Sequence, residues 1–162
     1  MYYGLVKQSH AIDMAKSVCD VFGPGKYGTA ADYLIEIAIQ ETRLGLYLDP
    51  TPNGAGRGLT QIDQIAFDDI QRRAKKLNKS SIHHHWGIDL HRVKHDELDY
   101  NPLLALIYCR LFWLLIPEPI PATLQGRAEY WKKYYNTSAG KGTTQDYINN
   151  VRDFFATQTL HR

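Results

Sequence analysis

The segment Leu103–Ile116, "LLALIYCRLFWLLI", is apolar apart from Arg110 and stands between Asn101-Pro102 and Pro117. Asn is a good N-cap, Pro suits the first helical position, and a further Pro stops what precedes it, so the spacing predicts one short helix. It falls below the roughly 18 residues that a membrane-spanning helix needs and carries a charge within it. Such a helix must be covered on every side by the rest of its own chain. At 162 residues and 44% hydrophobic content the chain has enough material to do so within one ordinary domain, taken here as residues 1–162.

The remaining apolar positions recur with helical rather than alternating spacing. A first helix is expected over Ser9–Val21, with Ile12, Ala15, Cys19 and Phe22 on one face and "GPG" at Gly23–Gly25 ending it. A second is expected from Thr29, with Thr29 and Asp32 as N-cap and N3, to a left-handed cap at Gly45. A third carries Phe67, Ile70, Ala74 and Leu77, with Asp68 and Asp69 in its first turn and Lys75 and Lys76 in its last. The polar stretch from Asn78 to Tyr100 is expected to be irregular and pinned by Trp86, Ile88, Leu90 and Val93. After the core helix come one with Leu124, Ala128, Trp131 and Tyr135, and a last one from Thr144 with Tyr147, Val151, Phe154 and Phe155. The fold class is mostly α.

Charge nominates no partner: 19 basic and 17 acidic residues are spread along the chain without a basic stripe, which argues against nucleic-acid binding. The start "MYYGLVKQSHAIDMAKSV" has no basic region followed by an apolar run, so no secretory signal is expected. Cys19 and Cys109 fall within apolar runs and are expected as free core thiols. His83, His84, His85, His91 and His95 include an i, i+4 pair, but no Cys is near and H-E-x-x-H is absent, so neither a metal nor a cofactor is expected. There is no G-x-S-x-G elbow.

Glu41 is the residue whose position asks for a chemical reason. With Leu34, Ile37 and Ala38 it falls at i, i+3, i+4 and i+7, on the stripe that faces the interior. Burial and the negative end of its own helix both disfavour the carboxylate, which raises the pKa toward the value a general acid needs. The bland alternative is a structural pairing with a buried Arg. Close behind lies "NGAGRGLTQI", where Gly54, Gly56 and Gly58 would let backbone approach a ligand.

"ETRLG" at Glu41–Gly45 followed by "GAGRGLTQI" resembles the Glu-Ser and Gly-Leu-Met-Gln-Ile/Leu motifs of the soluble-lytic-transglycosylase (SLT) domain, a relative of goose-type lysozyme. "YYN" at Tyr134–Asn136 is similar to that family's Ala-Tyr-Asn motif, and "DYINNV" at Asp146–Val151 to its late Tyr-bearing helix. The wording "WKKYYNTSAGKGT" resembles phage-encoded members. The resemblance spans Ile37–Val151. It implies a lysozyme-like domain with a substrate cleft that cleaves the β-1,4 bond between N-acetylmuramic acid and N-acetylglucosamine in peptidoglycan.

Carried over residue by residue, the resemblance makes Glu41 the general acid and then base, and places Thr42, Gly58, Leu59, Gln61, Tyr135, Asn136 and Tyr147 around the substrate. Tyr147 would bring its hydroxyl to the Glu41 carboxyl. Thr42 stands where the family has Ser, Thr60 where it has Met, and Tyr134 where it has Ala. The implied partner is the glycan strand of the bacterial wall, together with other virion proteins if the enzyme is carried by a particle. The implied setting is a host cytoplasm before release to the wall, as an endolysin, or the virion itself. Hydrolysing glycosidases generally use two carboxylates. Glu36 is rotated away on the same helix, and neither Asp49 nor Asp63 is forced into the cleft by spacing. One dependable carboxyl favours a transglycosylase that forms 1,6-anhydromuramic acid; a muramidase using water is the alternative, and a wall-binding or structural virion protein without chemistry is the alternative of another class.

Overall fold

The computed structural model describes residues 1–49, 55–136 and 140–160. Gly54 of the glycine loop and the centre of "NTSAGKG" lie outside the described residues. Seven α-helices account for most of the described chain: α1 Gln8–Phe22, α2 Ala30–Thr42, α3 Gln64–Arg73, α4 Lys76–Trp86, α5 Pro102–Leu114, α6 Leu124–Trp131 and α7 Thr144–Leu160. The class is mostly α, as the periodicity implies.

Helix α5 takes up most of the apolar segment Leu103–Ile116, and ten of its thirteen residues are buried. Asn101 caps it through a side-chain oxygen that accepts from the Leu104 amide at 3.0 Å, with Pro102 next. Helices α1, α2 and α3 pack against it, while α7 lies on α2 and α6. Arg110, the one charge in the apolar run, is buried and donates from Nη2 to the Gly23 carbonyl at 3.1 Å, just beyond the end of α1. Both cysteines are free and buried, and burial pushes the Cys109 thiol up to about 12, which leaves it inert as a nucleophile.

Five local expectations are corrected. The Thr29 hydroxyl does not cap α2; it donates to the Pro121 carbonyl at 3.0 Å, tying the start of α2 to the segment before α6. The third helix stops at Arg73, because Ala74 turns extended, and a separate helix then takes up much of the stretch expected to be irregular. Asp63, not Asp68 or Asp69, sits at the start of α3 and accepts from the Ala66 amide at 2.7 Å. Leu77 is 76% exposed, while Ile82 on the second piece is buried. His91 and His95 fall in two separate 3-10 turns, Leu90–Arg92 and His95–Asp99, and so do not share one helical turn.

Helix α2 ends in a left-handed corner, with positive φ at Arg43, Leu44 and Gly45. This corner turns the chain sharply behind Glu41. When the chain re-enters the described region it forms a minimal hairpin, β1 Gly56–Arg57 against β2 Ile62–Asp63, antiparallel with Arg57 opposite Ile62. Two-residue strands leave no alternation to read in the sequence. The hairpin is held from outside by Asp99, whose carboxylate accepts from the Gly58 amide at 2.9 Å and pairs with Arg57 at 2.7 Å.

Candidate functional site

Glu41, in the last turn of α2, presents its carboxyl to a cavity of about 490 Å³ lined also by Tyr47, Leu48, Asp49 and Gln61. Gln61 additionally lines a second cavity, of about 520 Å³, with Asp63, Ile65, Phe112, Tyr134 and Tyr135 among its walls. The left-handed corner after α2 carries Tyr47–Asp49 to the mouth beside Glu41, and the hairpin turn delivers Gln61 from the other side. Gln61 holds φ of +54°. Its side-chain amide donates to the Gly58 carbonyl at 3.0 Å and to the Tyr3 hydroxyl at 3.2 Å. Fixed in this way, it forms a rigid polar wall between the two cavities.

Burial raises the Glu41 carboxyl to about 7, and the negative charge of Asp49 pushes in the same direction. One interaction opposes them: the indole Nε1 of Trp131 donates to Glu41 Oε1 at 3.0 Å. Among the described residues no cation pairs with Glu41. A carboxyl poised near neutrality, in a cavity open to a ligand, can give a proton and take one back.

The other residues named from the sequence divide into wall and support. Gln61 and Tyr135 line cavities, and the Tyr135 hydroxyl donates to the Thr60 carbonyl. Burial raises the Tyr135 phenol well above its ordinary value, so it stays protonated beside the carboxyl. Thr42, Gly58, Leu59 and Tyr147 are all buried and line neither of these two cavities. The Thr42 hydroxyl lies 2.8 Å from the Leu59 carbonyl oxygen and 3.0 Å from that of Ala38, and it accepts from the Gly45 amide at 3.2 Å. It thereby fastens the end of α2 to the hairpin turn. Asn136 lines neither cavity; its Oδ1 accepts from Lys132 Nζ at 2.7 Å, and the same ammonium reaches the Gly140 carbonyl at 2.9 Å.

Two readings change here. The Tyr147 hydroxyl is not at Glu41. It donates to Glu36 Oε2 at 2.8 Å, and Glu36 is buried in a two-pronged ion pair with Arg127, at 2.8 Å from Nε and 2.7 Å from Nη2. At Gly56 and Gly58 it is packing that requires the missing side chain. A Cβ on Gly58, whose φ is +79°, would stand 2.5 Å from the Leu98 carbonyl oxygen, and one on Gly56 would stand 2.7 Å from Gln61 Oε1.

Trp131 is the site residue that sequence reasoning places only in the core. A buried Trp needs an acceptor for its N–H, and a buried carboxyl needs a donor; those two requirements were the available signal. Asp49, a nearby carboxylate that spacing alone does not force into the cleft, lines the cavity that holds Glu41. Asp63 lines the other cavity, with one oxygen committed to capping α3. The histidines stand apart: His83, His84 and His85 form the last turn of α4, and His95 Nε2 lies 2.6 Å from the Ile62 carbonyl oxygen. Among the described residues no group of three or more His, Cys, Asp or Glu side chains is placed to hold a metal ion. None of their helices is long and apolar enough to cross a membrane. In comparisons with known proteins, no family model, no curated protein and no solved structure matches the chain.

Proposed function

We propose that this protein cleaves the β-1,4 glycosidic bond between N-acetylmuramic acid and N-acetylglucosamine in peptidoglycan, with Glu41 as the proton donor, in the setting of a phage lysin or virion-associated wall-degrading enzyme. The observation that carries the reading is a single one: a carboxyl raised to about 7 in a cavity whose walls include the hydrogen-bonding Gln61 and the ring of Tyr47. Glu41 protonates the leaving oxygen. It then takes a proton from the muramic acid 6-hydroxyl, which attacks its own anomeric carbon and closes a 1,6-anhydro ring. Tethering the nucleophile to the substrate supplies a high effective molarity without a captured water. Tyr47 is 59% exposed and offers an aromatic face on which the C–H face of a sugar can pack.

One observation favours a second reading, a hydrolytic muramidase. Asp49 shares the cavity with Glu41, and a second carboxylate is what a hydrolysing glycosidase uses as nucleophile or as base for water. The products decide between the two. Wild-type enzyme is incubated with purified peptidoglycan in heavy-oxygen water and the digest is weighed: anhydro termini are lighter than hydrolysed, labelled ones by about 20 Da and carry no label, because intramolecular closure leaves water unused. Transglycosylation gives those termini and survives Asp49→Asn. Hydrolysis gives labelled reducing termini and is lost in Asp49→Asn. Undiminished cleavage by folded Glu41→Gln would remove both readings, and absence of cleavage by the wild type would leave a wall-binding protein.

A further inference from the structure

Between Glu41 and the segment leading to α7 runs a chain of contacts that the reaction itself does not use. The Trp131 indole, which donates to Glu41 at 3.0 Å, is fully buried. One side of it packs on the Tyr147 ring, with centroids 5.2 Å apart, and Tyr147 is itself fixed by its hydrogen bond to the Arg127-paired Glu36. Against its far edge lies the backbone of Gly142, in the segment leading to α7. A Cβ at Gly142 would stand 2.8 Å from Trp131 Cη2, a spacing real Cβ atoms essentially never show, with Asn136 Nδ2 at 3.4 Å and Gln40 Nε2 at 3.5 Å closing the other directions. The indole is therefore held between a fixed phenol and a backbone approach that tolerates no side chain.

We infer that Trp131 is a positioning residue for Glu41, and that the absence of a side chain at Gly142 sets how deeply the indole seats and so where its N–H meets the carboxyl. The inference rests on the reading of Glu41 as the reacting acid, and it adds that the segment before α7 governs that acid from behind. A fixed donor at Oε1 favours the carboxylate that Glu41 becomes after giving up its proton, and it holds the carboxyl's orientation for the return transfer. The other ionisable groups that sense Glu41 are Asp49, Tyr135 and Cys109. The phenol and the thiol are both raised by burial and stay neutral, so among the described residues Asp49 is the charge that competes with the indole.

The test reads Glu41 directly, without needing turnover. In the full-length protein the Glu41 side-chain carboxyl is titrated by NMR and assigned by its loss in Glu41→Gln. Trp131 is then replaced by β-(3-benzothienyl)alanine, which keeps the ring shape and puts sulfur in place of N–H. Loss of a hydrogen bond to the charged form is expected to raise the titration midpoint by about one unit, a tenfold change in proton affinity. Gly142→Ala is expected to shift it the same way by a smaller amount, and to add nothing in the benzothienylalanine protein, where there is no N–H left to displace. An unmoved midpoint on removing the N–H overturns the role of Trp131. A Gly142→Ala shift of equal size in both backgrounds overturns the role of Gly142. Wall cleavage is assayed separately: an active Glu41→Gln protein defeats the functional reading while leaving the titration result intact, so the two failures are distinguishable.

Discussion

Replacing Tyr147 by Phe separates a catalytic hydroxyl from a structural one, because the ring stays in the core either way. The hydroxyl donates to Glu36 Oε2 at 2.8 Å. A hydrogen bond to a charged group is worth about 1.5–3 kcal/mol. Glu36 keeps both contacts to Arg127, at 2.8 and 2.7 Å, so its carboxylate is not orphaned and the lower figure applies. For a chain of this size about 1.5 kcal/mol corresponds to a fall in Tm of roughly 3–6 °C. Calorimetry of Tyr147→Phe measures that fall, and wall cleavage per folded molecule is expected to change by less than about threefold. A double-mutant cycle with Glu36→Gln adds the coupling, which must be well above the few tenths of a kcal/mol seen for independent sites. The reasoning is refuted if Tyr147→Phe melts within about 1 °C of wild type while turnover falls a hundredfold, since the hydroxyl would then be acting at Glu41.

Glu41→Gln should lower wall cleavage by roughly two to four orders of magnitude if it removes a general acid. It should also stabilise the fold at pH 8. A carboxyl whose folded-state value is raised to about 7 binds more protons folded than unfolded between about 4.5 and 7, so its contribution is fully present below that window and lost as pH rises through it. The gain in Gln on this account is on the order of 3 kcal/mol at pH 8 and small at pH 4, read from melts at both values. Cleavage by the wild type should decline as pH rises through about 7, where the acid deprotonates. Asp49→Asn removes a charge that raises Glu41, so the alkaline limb should move to lower pH in whatever activity remains. Gly58→Ala forces a left-handed residue and a Cβ onto the Leu98 carbonyl, and should cost more than about 2 kcal/mol by denaturant titration.

What the sequence discloses follows the reach of the interactions concerned. Asn101-Pro102 was legible as a helix start because its cap bond closes within three residues. Thr29 offers a similar signal, yet its hydroxyl goes to Pro121, a carbonyl 92 positions away that no local pattern announces. The break after Arg73 carries no Gly or Pro; the chain turns there and buries Ile82, which is a demand of packing rather than of propensity. Glu41 was found because its signal is periodic, one more position on an interior stripe. Trp131 and Tyr147 were assigned to the right helical faces, but their polar partners on α2 lie 90 and 111 residues away, and helical spacing cannot say which of two carboxylates each one meets.

That ambiguity matters because α2 carries two buried-side carboxyls with opposite endowments. Glu36 faces Arg127 and Tyr147, a full countercharge and a phenol donor, with almost no contact with solvent. Such a site satisfies a carboxylate and holds α2, α6 and α7 together. Glu41, five residues later, receives among the described residues one neutral donor, from Trp131, and no countercharge; it has the charge of Asp49 nearby and borders a cavity. Burial without a countercharge is what keeps a carboxyl protonated near neutrality. The same helix thus spends one Glu on cohesion and leaves the other under-compensated. The stabilisation expected for Glu41→Gln at pH 8 follows from that difference, since ionising a buried carboxyl that lacks a countercharge costs the fold stability.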